Sequence, residues 1–216
     1  MARLKLLAVL GCATALAACG SGGTSTTDAA PPAGVTVTGS AAAPAPTPSA
    51  SVGRAGDVRT IATGLEVPWG IAFLPGGDAL VGERDSGRIL RVPRGGGTPH
   101  RVMTIADAYN DGGEGGLLGL AVSPSYARDH EVYAYVTTRT DNRIVRFRLG
   151  GKVVPILTGL RRGAIHNGGR IAFGPDKLLY AGVGETGEMG LAQDPGALNG
   201  KILRMTPNGK APSDNP

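Results

Sequence analysis

The feature that most restricts what this chain can fold into is an internal repeat. Trp69-Gly70-Ile71-Ala72-Phe73-Leu74-Pro75 leads into Ala79-Leu80-Val81. Leu118-Gly119-Leu120-Ala121-Val122-Ser123-Pro124 leads into Val132-Tyr133-Ala134-Tyr135-Val136. Gly169-Arg170-Ile171-Ala172-Phe173-Gly174-Pro175 leads into Leu178-Leu179-Tyr180-Ala181-Gly182-Val183. Each unit is a short apolar strand closed by a proline turn and followed by a second strand. A third strand then recurs over Arg88–Val92, Arg143–Leu149 and Lys201–Met205. Its polar–apolar alternation predicts a strand with one buried face. Pro75, Pro124 and Pro175 mark a period of about 50 residues, the length of a β-propeller blade with three or four strands. Strand spacing alone would suit a sandwich equally well; the repeat favours the propeller.

Composition agrees with an all-β chain. Glycine supplies 36 of the 216 residues, and each glycine inside a helix costs roughly 1 kcal/mol against alanine, so a helical bundle is excluded. The 22 basic and 17 acidic side chains are scattered, and aromatic residues make up 4%. With no basic block and few rings to stack on bases, nucleic-acid binding has no support. The expected folded part, residues 56–216, holds about three blades, whereas closed propellers have typically about 4–8. Three blades leave two open sheet faces. The expectation is therefore the N-terminal part of a longer propeller.

The first residues read as an export signal. Arg3 and Lys5 precede an apolar run from Leu6 to Ala18. That run is short of the ~20 residues of a membrane-spanning helix and has the length of a signal-peptide core. It ends in Leu16-Ala17-Ala18-Cys19, followed by Gly20-Ser21. Small residues before a cysteine look like a bacterial lipobox, with the Cys19 thiol as lipid acceptor; an ordinary secretory signal with an incidental cysteine is the alternative. Residues 1–19 are thus expected to be a lipoprotein signal peptide. Residues 20–55, rich in Ser, Thr, Ala, Gly and Pro, are expected to be a flexible tether. The chain would then be exported and lipid-anchored to the outer face of the cell membrane. Cys12 falls in the discarded segment, which leaves no cysteine for a disulfide or a cysteine metal site.

Three loops carry candidate chemistry. His166 lies in Ala164-Ile165-His166-Asn167-Gly168-Gly169, just before the third unit's first strand. Its ordinary pKa, about 6.5, makes histidine a ready general base; a plain surface histidine is the alternative. Glu185 follows the next strand of the same unit. The loop before one antiparallel strand and the loop after its partner share an end, so the two side chains are expected to converge, as carboxylate and imidazole do in hydrolase triads. Asn110-Asp111-Gly112-Gly113-Glu114-Gly115-Gly116 sets two acids among four glycines, which suits Ca²⁺, a polar ligand or simply a flexible turn. Gly182-Val183-Gly184-Glu185-Thr186-Gly187 matches a dinucleotide fingerprint in letters only, because Met189 to Gly200 is a poor helix.

Taken in order, these segments resemble a known family. Leu65-Glu66-Val67-Pro68-Trp69-Gly70, Leu80-Val81-Gly82-Glu83-Arg84 and Gly113-Glu114-Gly115-Gly116-Leu117-Leu118-Gly119-Leu120 open the match. His166-Asn167-Gly168-Gly169, Gly200-Lys201-Ile202-Leu203-Arg204 and Asp214-Asn215-Pro216 complete it. The set resembles the glucose/sorbosone dehydrogenases, which include soluble quinoprotein glucose dehydrogenases and aldose sugar dehydrogenases. The resemblance implies a six-bladed propeller that holds pyrroloquinoline quinone (PQQ) and Ca²⁺ and oxidises an aldose to its lactone, passing electrons to an external acceptor. It implies that His166 is the catalytic base and that Glu185 stands where the family has an aspartate that orients it. Glu114 stands where a glutamine near substrate and cofactor is expected, and is the one cofactor-binding residue implied here. The remaining PQQ contacts and the Ca²⁺ ligands are expected beyond residue 216. The alternative is a non-catalytic propeller lipoprotein that binds a carbohydrate or a protein partner.

Overall fold

In the computed structural model the described residues are Gly56 and residues 58–215; the signal segment, Cys19 and the whole of the expected tether lie outside them. The described chain forms three antiparallel sheets in succession. The first contains β1 (Pro68–Phe73), β2 (Ala79–Glu83), β3 (Arg88–Val92) and β4 (His100–Thr104). The second contains β5 (Leu117–Val122), β6 (Val132–Thr137), β7 (Asn142–Phe147) and β8 (Val154–Leu160). The third contains β9 (Gly168–Phe173), β10 (Leu179–Val183) and β11 (Lys201–Met205). Strands pair with their sequence neighbours throughout, and β1 packs on β5 and β5 on β9. These are three blades of a β-propeller, with β1, β5 and β9 as the inner strands. One-turn helices α1 (Tyr126–Asp129) and α2 (Gly190–Gln193) interrupt two of the connections.

Glycine lets the inner strands approach one another. A Cβ on Gly70 would lie 2.3 Å from the Leu118 carbonyl oxygen, and one on Gly119 would lie 2.1 Å from that of Gly169. Both distances are impossible for a real side chain, so the first two repeats need glycine where the third has the exposed Arg170. The outer strands β4 and β8 carry weaker sequence signals. Pro155 lies in β8, at the sheet edge, where a missing N–H is tolerated.

Two apolar layers hold the blades together. Leu80, Ile89, Leu117, Leu120, Ala134 and Phe147 fill the space between the first and second sheets. Leu118, Tyr133, Tyr135, Ile144, Leu179 and Val183 fill that between the second and third. The middle blade is covered on both faces, and the single buried face expected of its third strand, β7, fails. All six residues of β6 are buried, with Val132, Ala134 and Val136 turned to one layer and Tyr133 and Tyr135 to the other. On β7, Ile144 and Val145 likewise belong to opposite layers. The reason is packing on both sides, which replaces alternation by continuous burial. On β11, with one packed side, Met205 is buried and Ile202 is 79% exposed.

The connections before each inner strand and between each second and third strand fall at one end of the blades. Residues 105–116, 138–141, 161–167 and 184–200 are therefore neighbours.

Candidate active site

That shared end brings His166 and Glu185 together. The Nδ1 of His166 bonds the Oε1 of Glu185, and the histidine side chain stays half-exposed. Glu114 arrives from the loop before β5, and its Oε2 accepts the backbone N–H of His166 at 2.6 Å. Thr186 N–H donates to the His166 carbonyl at 3.2 Å. His166 has φ 55°, a left-handed conformation uncommon outside glycine, which turns its ring out of the loop. The candidates from three separate stretches of sequence thus meet within one loop cluster.

The electrostatics follow from those contacts. The Glu185 carboxylate on Nδ1 holds the His166 pKa above its ordinary value, and the charge of Glu114 adds to this. His166, its own N–H and that of Gly187 hold Glu185 below the usual carboxylate range. An ionised carboxylate only accepts, so Nδ1 carries the proton and Nε2 is the free nitrogen. The arginines of the same loop are drawn elsewhere. Arg161 pairs with Glu188, and Arg162 pairs with Asp111, whose carboxyl it holds low.

The acidic glycine loop is tied down rather than free. Besides the Arg162–Asp111 and Glu114–His166 contacts, Asn110 Nδ2 donates to Asp85 Oδ1 at 2.5 Å. Tyr109 lies between two guanidiniums, with Arg139 4.3 Å and Arg162 5.2 Å from its ring centre. Among the described residues no three His, Cys, Asp or Glu side chains gather as a metal cage. The acids here serve loop-to-loop contacts, and these residues do not fit a Ca²⁺ site by themselves.

Three buried asparagines under the dyad escape a sequence reading. Asn167 Oδ1 accepts the Gly163 N–H at 3.0 Å, and its Nδ2 donates to the Gly163 carbonyl at 2.8 Å. Asn199 does the same to Arg161, at 2.9 and 3.1 Å, and also donates to the Gly184 carbonyl at 2.9 Å. Asn142 Nδ2 donates to both Asn167 Oδ1 and the Arg161 carbonyl, at 2.9 Å each. Asn167 and Asn199 each precede a glycine, and Asn-Gly reads as an ordinary turn signal. The recurrence of Asn-Gly immediately before a strand, at 167–168 and 199–200, is the one usable hint.

Beside Glu185 a cavity of about 670 Å³ is lined by Trp69, Gly168, Arg170, Lys201 and Ile202. The Arg170 guanidinium sits 4.7 Å from the centre of the Trp69 ring. Lys201 Nζ donates to the carbonyls of Leu191 and Asn199. Lys201 is thus taken by two carbonyls and Arg170 covers the Trp69 ring, so the histidine–carboxylate pair, rather than this cavity, is the feature that agrees with the family resemblance.

Comparison with known proteins points the same way. Residues 65–216 match the family described as Glucose / Sorbosone dehydrogenase. The chain is 52% identical to an aldose sugar dehydrogenase of Streptomyces coelicolor solved in its PQQ-bound form, with TM-score 0.70, over 74% of this chain and 50% of that one. It is 27% identical over 173 residues to an aldose sugar dehydrogenase of Escherichia coli K12, covering 74% of this chain and 46% of the relative. It is 28% identical over 196 residues to quinoprotein glucose dehydrogenase B of Acinetobacter calcoaceticus, covering 74% and 41%. The chain spans about half the length of the relatives it matches.

Proposed function

The chain belongs to the glucose/sorbosone dehydrogenase family, and from that premise we propose that it contributes the acid–base side of a PQQ-dependent oxidation of an aldose to its lactone. The observation that carries the reading is the His166–Glu185 pair, with His166 half-exposed and Glu114 bound to its backbone N–H. When bound, PQQ supplies an ortho-quinone that accepts a hydride. The basic residues that hold its carboxylates would come from elsewhere in the protein. Glu114, whose carboxylate is taken by the His166 N–H, would border the cofactor rather than bind it strongly.

The residues of this chain handle the proton. Glu185 fixes the tautomer of His166, so that Nε2 takes the proton of the anomeric hydroxyl as hydride leaves the same carbon. The carboxylate then stabilises the imidazolium. Only neutral His166 can act, and its raised pKa sets the acid limb of activity above the ordinary histidine value. The Ca²⁺ of the family reading would draw its ligands from elsewhere in the protein, and the electrons would pass to an external acceptor.

The test is turnover of an aldose with an artificial electron acceptor, in protein reconstituted with PQQ and Ca²⁺. His166→Ala is expected to lower turnover by about 10²–10⁴-fold. Turnover within a factor of about two of the unsubstituted protein, with PQQ bound, removes the assignment. Failure to bind PQQ at all favours a non-catalytic propeller that binds carbohydrate or a protein partner.

The lipobox and tether support a further part of the same reading, anchorage through a lipid on Cys19 at the outer face of the cell membrane. A single acyl chain holds only marginally, so firm anchorage calls for more than one. Cys19→Ser is expected to abolish labelling by radioactive fatty acid; undiminished labelling refutes the anchor.

A further inference from the structure

His166 and Glu185 sit on connections whose large apolar residues Ile165, Met189 and Leu198 are exposed. Ile165 is 47% exposed, and His166 and Thr186 both occupy left-handed backbone. Such loops usually wander, and a base needs its partner within hydrogen-bond reach. The asparagines below supply what packing does not.

Asn167 and Asn199 are 1% and 4% exposed. Each turns its amide edge-on to the backbone of one residue of the 161–167 loop, accepting its N–H and donating to its C=O. That is the pairing a neighbouring strand would offer, made by a side chain. Asn199 has a second duty. Its Nδ2 also reaches the Gly184 carbonyl, one residue before Glu185. A single amide therefore joins the root of the histidine loop to the root of the carboxylate. Asn142, on β7 of the middle blade, completes the frame by donating to Asn167 and to Arg161, while its Oδ1 accepts Thr137 Oγ1 at 2.6 Å.

We propose that Asn199, seated on the Asn167–Asn142 frame, is a positioning residue that sets the distance between His166 and Glu185. It touches neither side chain and acts through the Arg161 and Gly184 peptides. The inference rests on the reading of His166 as the base, yet its own content is geometric. The charged groups facing His166 are Glu185 and Glu114, while Arg161 and Arg162 are occupied by Glu188 and Asp111. A loosened frame therefore weakens one specific ion pair, while Glu114 stays bound to the His166 backbone N–H.

The experiment is a pH titration of the His166 imidazole nitrogens by NMR in the intact protein, assigned by the signal lost in His166→Ala. Asn199→Ala is expected to bring His166 down toward the ordinary value near 6.5, and Asn199→Asp, which keeps the acceptor for the Arg161 N–H and loses both donated bonds, to do so in part. Val81→Ala, a core truncation in the first blade, is the control. A purely structural role for Asn199 predicts that Val81→Ala and Asn199→Ala leave His166 alike. An unshifted His166 in folded Asn199→Ala protein overturns the proposal. In the unsubstituted chain the Arg161 and Gly163 amide protons must exchange slowly, and exchange at the rate of open loop amides overturns it without any variant. The titration needs neither PQQ nor sugar. Absent aldose oxidation would therefore sink the dehydrogenase reading and leave this result standing.

Discussion

The middle and third blades are built from the same repeat and put it to opposite uses. In the middle blade β6 is buried along its whole length, and tyrosines point into the layer it shares with the third blade. Among the described residues the third blade packs on one side, leaves Ile202 exposed and carries both His166 and Glu185 at its rim. Among the described residues the middle blade is covered on both faces, and the His166–Glu185 pair sits on the blade that packs against one neighbour. Two contacts join the regions beneath the pair: Tyr135 donates its hydroxyl to the Asn167 carbonyl at 2.9 Å, and Asn142 donates to Asn167 Oδ1. The chemistry is thus exposed, but its footing reaches back into the best-packed part of the molecule.

The comparison is broken most severely from the middle blade. Ile144 is fully buried on β7, in the layer facing the third blade. Ile144→Ala removes that packing and leaves a cavity, for an expected loss of about 2–5 kcal/mol. Chemical denaturation of the 216-residue chain measures it. A loss under about 0.5 kcal/mol, the usual range for surface positions, would mean that the middle blade is no better packed than the rim.

How much of this is legible in the sequence depends on what each residue answers to. The inner and second strands are announced by local pattern, because apolar runs ending in Pro75, Pro124 and Pro175 repeat at blade length. Continuous burial of β6 and β7 is not announced, since a strand cannot report how many neighbours its sheet will have. Val132-Tyr133-Ala134-Tyr135-Val136 is apolar on both faces, which is the trace of two-sided packing in hindsight. The meeting of His166 and Glu185 follows from antiparallel geometry alone, whereas their roles come from resemblance. Asn167 and Asn199 stay hidden because most of their partners are backbone groups, which leave no mark in the alphabet of side chains, and Asn142 because its side-chain partner Asn167 lies 25 residues away.

A smaller effect sharpens the comparison from the rim. The ion pair between His166 and Glu185 contributes stability only while both are charged. The raised histidine pKa makes its share complete below 6.5 and lost as pH rises through the folded value. The lowered carboxylate pKa makes its share complete above 4.5 and lost as pH falls through the folded value. The difference in melting temperature between the unsubstituted chain and Glu185→Gln is therefore expected to peak between those two values and to shrink on both sides. Because the pair is solvent-screened, the peak should be modest. A difference that keeps growing into alkaline pH would show that Glu185 supports the fold by some route other than this pair.

The smallest expected effect is at Ile202, on the open side of the third blade. Its side chain is 79% exposed, and its strand partner across the sheet is Gly182, which offers no side chain to pack on. Ile202→Thr keeps a β-branched residue, so the backbone preference for the strand is preserved. What changes is one apolar surface already in water. The expected change in stability is within about 0.5 kcal/mol, measured by the same denaturation used for Ile144→Ala. The two positions lie on neighbouring blades and carry the same residue type, so the contrast isolates coverage from composition. If Ile202→Thr costs as much as Ile144→Ala, and the cost grows with protein concentration, the face is covered in solution and the third blade is no longer the open partner in the comparison. If the cost is equally large but independent of concentration, the face is covered from within the same molecule. A negligible cost leaves β11 as a strand held from one side, whose outward surface contributes nothing to holding the Asn199 frame behind it.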